Sequence, residues 1–398
     1  MSTLTNVNSP EVVAGTDPCD VSTQGESRMH LDSSLLIFLT LVLTIFVVVH
    51  HHLDARFDFG VFYYAAHMVL DGSRHALYDF GAQHVFQAHF HRPPETLFRN
   101  PPVTLIPILI IAKLPMLVAF SVWTALEMAL LILSLKRLEI ETKISYGNWP
   151  ILLSLAYVPV MGCMLHGQFS ILILASYVFA YSQWRRGRRF IGGAILSIAT
   201  LKFQLVIGFI AVLLLKRKWR ELGGFATGSA VLLILSAFIT GIPALLTYPK
   251  FVLHSDSPIS ELNRYANWQG LLSLFGQNHL WLAVLLSIVT VLWAAWTWEN
   301  DLDRGFCAAI LASMLVTYHF TPQDLALSLI PFYLCAKTGL LPQSRIPLFV
   351  FLSLLVTTMM VADDIPLALL SIPLIVALWW VGEKKMPKVE GWLAHQAH

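Results

Sequence analysis

The chain has 398 residues, of which 56% are hydrophobic and only 13% charged, with a mean hydropathy of +0.66 and a net charge of +2. Soluble domains carry about 25% charged residues, so this composition excludes an ordinary soluble globular protein and fits a chain that crosses a membrane many times. So small a net charge carries little information about partners, and no nucleic-acid partner is expected.

Residues 1–33 are polar and lack a basic run directly ahead of the first apolar segment, so they read as a disordered tail rather than a signal peptide. Apolar segments follow at 34–50, 102–112, 118–135, 149–165, 169–183, 190–201, 203–215, 222–240, 280–298, 305–318, 324–336, 346–361 and 365–381. Lys and Arg gather between them at Lys136-Arg137 with Lys143, Arg185 to Arg189, Lys216 to Arg220, Lys337, Arg345 and Lys384-Lys385. Basic short loops stay in the cytoplasm. Alternating crossings then require that 102–112, bounded by Pro101-Pro102 and Lys113-Leu114-Pro115, be re-entrant or interfacial. The expectation is an all-α multispanning membrane protein with about twelve spans and both tails, 1–33 and 384–398, in the cytoplasm. Residues 34–383 form one membrane domain whose long first extracytoplasmic loop carries interfacial helices. The twelve Trp and eleven Tyr fit aromatic belts at the two interfaces.

Four cysteines without CxxC or Cys/His spacing indicate neither a disulfide framework nor a zinc site. His50-His51-His52 likewise has no metal-binding spacing, and no cofactor is expected.

The polar residues that interrupt apolar runs fall on the outer face. They are Asp58, Arg99-Asn100, His166-Gly167-Gln168, Lys202-Phe203-Gln204, Arg264 to Gly270 and His319 to Asp324. Each would leave costly unsatisfied groups at membrane depth, and together they point to a shared polar cavity. Asp58 stands among aromatic residues where the chain leaves the bilayer, and is either a helix cap or a functional acid. Lys202 is a single ammonium inside a long apolar run, and either snorkels to the interface or meets an anion. A phosphodiester leaving group needs positive charge and no general acid. The remaining proton task is removal of a hydrogen from an acceptor hydroxyl, for which one carboxylate suffices. Asp58 and Lys202 would together serve sugar transfer from a lipid phosphate. Asp71, Asp256, Glu261 and Asp324 are further carboxylates on the same face.

Several of these elements carry a resemblance. Asp58-Phe59-x-x-Phe62-Tyr63-Tyr64-Ala65-Ala66, then Gly72, Leu77-Tyr78-Asp79 and Arg99-Asn100-Pro101-Pro102, resemble glycosyltransferase family 87. Gly167-Gln168-Phe169-Ser170, the run from Gly192 through Lys202-Phe203-Gln204 to Arg220, Asn267-Trp268-Gln269-Gly270-Leu271 and His319 to Leu325 are similar to its later elements. The likeness covers roughly residues 55–335. It implies a GT-C-type transmembrane fold and an inverting transferase that moves mannose from a polyprenyl phosphate to a lipid or glycan acceptor. It places the active site on the extracytoplasmic side of the plasma membrane. It implies Asp58 as general base, with donor phosphate or sugar contacts from Lys202, Arg99, Asn100, Gln168, Gln204, Asn267, Gln269, His319 and Gln323. The chain departs from the family pattern at Asn100, where Tyr is common before Pro-Pro, and at Gln323, where His commonly precedes Asp-Leu. A transporter or flippase of a lipid-linked sugar is the alternative. It would share the cavity and the cations without using Asp58 as a base.

Overall fold

The computed structural model describes residues 58–89, 97–143, 148–254, 259–276, 279–299, 301–337 and 366–383, together with Phe38 and Val42. Both tails, nearly all of 34–50, the histidines at 50–52, Arg56, Arg345 and segment 346–361 lie outside the described residues. Among those described, every regular element is helical.

The first described stretch holds α1 (Asp58–Leu70) and α2 (Phe80–Gln87), separated by a 3-10 turn at Arg74–Ala76. Phe59, Phe62, Tyr63, Tyr64 and Met68 are all buried, so α1 is enclosed on nearly every side. A 3-10 turn at Pro102–Thr104 leads into α3 (Leu105–Ile111). The two form a short apolar helix of about 15 Å at 1.5 Å per residue, half the thickness of a bilayer core. It is followed by α4 (Met116–Thr142), whose length of about 40 Å exceeds that thickness.

The next stretch departs from a simple up-and-down pattern. Segment 149–165 is divided at the extended residue Tyr157 into α5 (Trp149–Ala156) and α6 (Val158–His166). Pro159 lies in the first turn of α6, where its missing N–H costs nothing, and it disfavours continuation of the preceding helix. The chain then bends by 118° into α7 (Ser170–Arg185). After α8 (Arg189–Leu196) the helix tightens into a 3-10 stretch, Ser197–Leu205, and bends by 116° into α9 (Ile207–Leu215). Lys202 has non-helical angles (φ −125°, ψ 69°) inside this stretch.

The remaining helices are α10 (Trp219–Thr240), α11 (Ile242–His254), α12 (Trp268–Ser273), α13 (Leu280–Thr297), α14 (Leu302–Val316), α15 (Leu329–Lys337) and α16 (Ser371–Glu383). A 3-10 turn at Pro322–Ser328 joins α14 to α15. Among the described residues three helices, α4, α10 and α13, are long and apolar enough to cross a membrane alone, and five spans result if each bent pair counts as one.

Two contacts set this arrangement. Helices α8 and α10 touch backbone to backbone: a Cβ on Gly224 would stand 1.9 Å from the Phe190 carbonyl oxygen, and one on Gly193 2.0 Å from that of Glu221. In lipid, where water drives no helix association, such small-residue contacts hold helices together. At the basic ends of α4 and α7, Arg137 pairs with Glu141 at 2.6 Å, and Arg185 reaches both Glu141 (3.5 Å) and Asp303 of α14 (3.0 Å). Tyr181 also donates to Asp303. This charged tie lies at the Arg185 end of α7, and the polar residues of the next section at its Ser170 end, about 24 Å away.

Candidate active site

Asp58 begins α1, where a carboxylate is favoured by the helix dipole. Aromatic packing fixes where that helix starts. Phe59 meets Phe120 of α4 edge-on at 5.4 Å, and Phe62 meets Phe169 at 4.8 Å, with Trp123 on the other side of Phe169 at 5.2 Å. Phe169 belongs to the bend between α6 and α7, so this packing brings Asp58 to that bend.

The bend itself is a Schellman ending. Gly167 takes φ +63° and donates to the Met164 carbonyl (3.2 Å), while Gln168 N–H donates to that of Cys163 (2.9 Å). A Cβ on Gly167 would lie 2.7 Å from Phe59 Cβ, so glycine serves both the left-handed turn and the approach of α1. The residues on either side of it converge on one atom. Gln168 Nε2 donates to Asp58 Oδ2, and His166 Nδ1 lies 3.5 Å from the same oxygen. Among the described residues Asp58 Oδ1 receives no hydrogen bond, and a third of the side chain is exposed. Burial pushes the Asp58 carboxyl up, but hydrogen bonds from His166 and Gln168, with the charges of His166 and Lys202, outweigh it and leave the carboxyl below its ordinary range.

Lys202 reaches the site from the second bend. Its ammonium donates to Asp324 Oδ1 (2.7 Å) and to Ser170 Oγ (3.2 Å), and Ser170 in turn donates to Asp324 Oδ1 (2.6 Å). The Thr321 amide and hydroxyl each donate to Asp324 Oδ2 at 3.0 Å. Asp324 is fully buried and Lys202 4% exposed, so the lysine's charge is balanced inside the protein. Two of its three N–H groups are directed at these partners.

The other residues singled out from the sequence are distributed around this centre. Gln204 is buried two positions beyond Lys202. Gln323 precedes Asp324, and its Oε1, like Gln168 Oε1, is buried with no hydrogen-bond partner among the described residues. Asn267 caps α12 through Gly270 N–H (2.8 Å) and donates to the Thr317 carbonyl (2.7 Å), so both ends of its side chain are engaged within the fold. His319 Nδ1 pairs with the Tyr265 hydroxyl at 2.9 Å. Gln269 lines a separate, small open pocket of about 40 Å³ with Ser273 and His279. Arg99 lies over the Phe80 ring at 5.3 Å, and the Asn100 carbonyl accepts from the Tyr78 hydroxyl. These two belong to an aromatic cluster in which Tyr78 and Phe80 pack on Phe251 of α11.

Glu127 and Cys163 escaped the sequence reading. Glu127 is 1% exposed, with Cys163 Sγ 3.4 Å from Oε1 and the other oxygen unpartnered among the described residues. Cys163 Sγ is also 3.2 Å from the Gln168 carbonyl oxygen. The signal was present: Glu127 is the one acid in the apolar stretch 116–135, and an ionisable residue within a span marks a site by default.

A comparison with protein-family models matches residues 98–322 to glycosyltransferase family 87. The match covers more than half of the chain. The chain belongs to glycosyltransferase family 87. No curated protein and no solved structure matches it. The family segment contains Gln168, Ser170, Lys202 and Thr321, whereas Asp58 and Asp324 flank it on either side. The carboxylates of this glycosyltransferase are therefore placed by the fold, which brings both flanks onto the matched core.

Proposed function

We propose that this glycosyltransferase transfers a hexose, mannose by its family resemblance, from a polyprenyl phosphate to an acceptor hydroxyl on a lipid or glycan. The site would face the extracytoplasmic side of the plasma membrane. The single observation that carries the reading is the asymmetry of Asp58: Oδ2 is occupied by His166 and Gln168, while Oδ1 accepts nothing among the described residues and the side chain is partly open. A carboxylate held ionised with one oxygen unengaged has the form of a general base.

In the proposed reaction Asp58 Oδ1 takes the proton of the acceptor hydroxyl. The hydroxyl oxygen forms a bond to the anomeric carbon, and the bond from that carbon to the phosphate oxygen breaks, with the electron pair leaving on the polyprenyl phosphate. Attack opposite the leaving group inverts the centre, so a β-linked donor gives an α-linked product. Lys202 contributes positive charge to the departing phosphate through its remaining N–H, with the pair to Asp324 fixing its position. Gln204, Arg99, Asn100 and His319 are proposed on the donor side. The unpartnered Oε1 atoms of Gln168 and Gln323 are suited to accept from sugar hydroxyls. The basic ends of α4 and α7, opposite Ser170, support the outer placement of the site.

The two bent helix pairs also favour a second reading, a carrier of a lipid-linked sugar, because interrupted spans at a polar centre are common in transporters. The deciding experiment measures transfer of labelled sugar from polyprenyl-phosphate-mannose in membranes, for the native chain and Asp58→Asn. The transferase reading expects product from the native chain and almost none from the variant, with donor binding kept. Flux of the lipid-linked sugar through proteoliposomes, equal in both proteins and without product, would establish the carrier instead.

A further inference from the structure

Two side chains separated by one left-handed glycine meet the same oxygen of Asp58. Gln168 is the last residue before Phe169 enters the core, and its reach to Oδ2 is set by the Schellman turn. His166 is different: it ends α6, its side chain is 37% exposed, and its Nδ1 stands 3.5 Å from Oδ2. A carboxylate held at one oxygen by one donor can still rotate about its last torsion and exchange the roles of its two oxygens. A second donor on the same oxygen, from the other side of the glycine, removes that freedom.

We infer that His166 is a positioning residue for the transfer reaction, holding Asp58 Oδ2 so that Oδ1 alone is presented to the acceptor hydroxyl. This rests on the reading of Asp58 as the base. Among the described residues the charged groups acting on Asp58 are His166 from α6 and Lys202 from the second bend, with Asp324 balancing Lys202. Tyr63, Tyr64 and His67 share α1. Arg74, His75 and His84 lie on the 3-10 turn and α2 that follow, and Glu127 on α4 faces Cys163; none of these bonds the carboxylate. A bland alternative exists, since a histidine at a helix C-terminus also stabilises the helix through the dipole. That role is indifferent to the protonation of Asp58, which separates the two.

The test uses the full-length protein in detergent, comparing His166→Ala and His166→Gln with the native chain. Asp58→Asn serves as the reference that identifies the Asp58 carboxylate band in infrared difference spectra. Followed against pH, that band is expected to titrate at higher pH in His166→Ala, because burial then acts against fewer opposing bonds. In His166→Gln, whose amide can donate over a similar reach, it should return towards the native position. In the transfer assay His166→Ala should lose about tenfold in kcat, the scale of one hydrogen bond to a charged group, with the donor KM within about twofold. An Asp58 band that titrates alike in the native protein and His166→Ala overturns the inference, whatever the activity. Loss of activity equal in both His166 variants, without movement of the band, assigns His166 to helix stability and also overturns it. Full activity in Asp58→Asn would instead remove the base reading, a failure the infrared titration does not share.

Discussion

Replacement of Asp324 by alanine would strand a lysine inside the protein. Asp324 accepts from the Lys202 ammonium, the Ser170 hydroxyl and both donors of Thr321, at 2.6–3.0 Å. Neither member of the ion pair has more than 4% of its side chain exposed. Removing one partner of a buried pair costs about 3–5 kcal/mol, because the remaining charge is left without compensation. Asp324→Asn keeps one acceptor oxygen and the shape, and is expected to lose about half as much. The informative construction is the double replacement Lys202→Met with Asp324→Leu, which removes both charges and fills the volume. Apolar substitutes for a buried pair are often neutral in stability, so the double variant should recover most of the loss seen in Asp324→Ala. Unfolding by denaturant in mixed micelles, followed by tryptophan fluorescence, measures all four proteins. The transfer assay adds the functional axis: the double variant should be folded and inactive if Lys202 serves the donor phosphate. Were Asp324→Ala to match the native stability within about 1 kcal/mol, the pair would not be the buried, unscreened contact described here.

Three further outcomes are expected. In kcat/KM profiles the acid limb assigned to Asp58 should lie below the ordinary aspartate value of 3.8, since the folded carboxyl is depressed; its stabilising effect is present above 3.8 and lost as pH falls through the folded value, and a limb above 3.8 would contradict the assignment. Gly224→Leu should abolish folded protein in size-exclusion runs, because even its Cβ meets the Phe190 carbonyl at 1.9 Å, whereas Gly223→Ala, one position along α10 with its nearest neighbour at 3.8 Å, should elute as the native chain. Asp303→Ala removes the acceptor shared by Arg185 and Tyr181, and should lower stability by about 1–3 kcal/mol in micelle unfolding while leaving the transfer assay unchanged at permissive temperature.

The residues that the fold gathers at its bends were legible because membrane sequences are quiet. Against a run such as Ile191 to Leu215, one lysine is conspicuous, and Lys202 is indeed a point where the helix loses its regular angles. Gly167-Gln168 marked the first bend for the same reason. Family resemblance was legible as spaced short motifs, and the matched segment 98–322 contains most of them. What composition could not give was partnership. Asp324 was one of several outer carboxylates, and nothing in spacing pairs it with Lys202, because the contact spans 122 positions. Asn267 and His319 read as polar breaks, but whether such a group points into a cavity or into its own fold depends on tertiary packing. Hydropathy also fails to separate a span from half of a bent one: α6 and α7 are both apolar, while the 118° between them rests on one glycine angle and the aromatic seat of Phe169.

The pair of bends has a consequence for how the protein is made. Asp58 meets Gln168 across 110 positions, and Ser170 meets Asp324 across 154. During synthesis the proposed base therefore emerges long before the acid that settles Lys202 exists. Until residue 324 has been made, the Lys202 ammonium and the Ser170 hydroxyl lack the carboxylate that both bond in the finished fold. A chain interrupted earlier has the residues that set Gln168 against Asp58 but not the carboxylate that fixes Lys202. Arrival of Asp324 is then the step that closes the polar centre around Lys202.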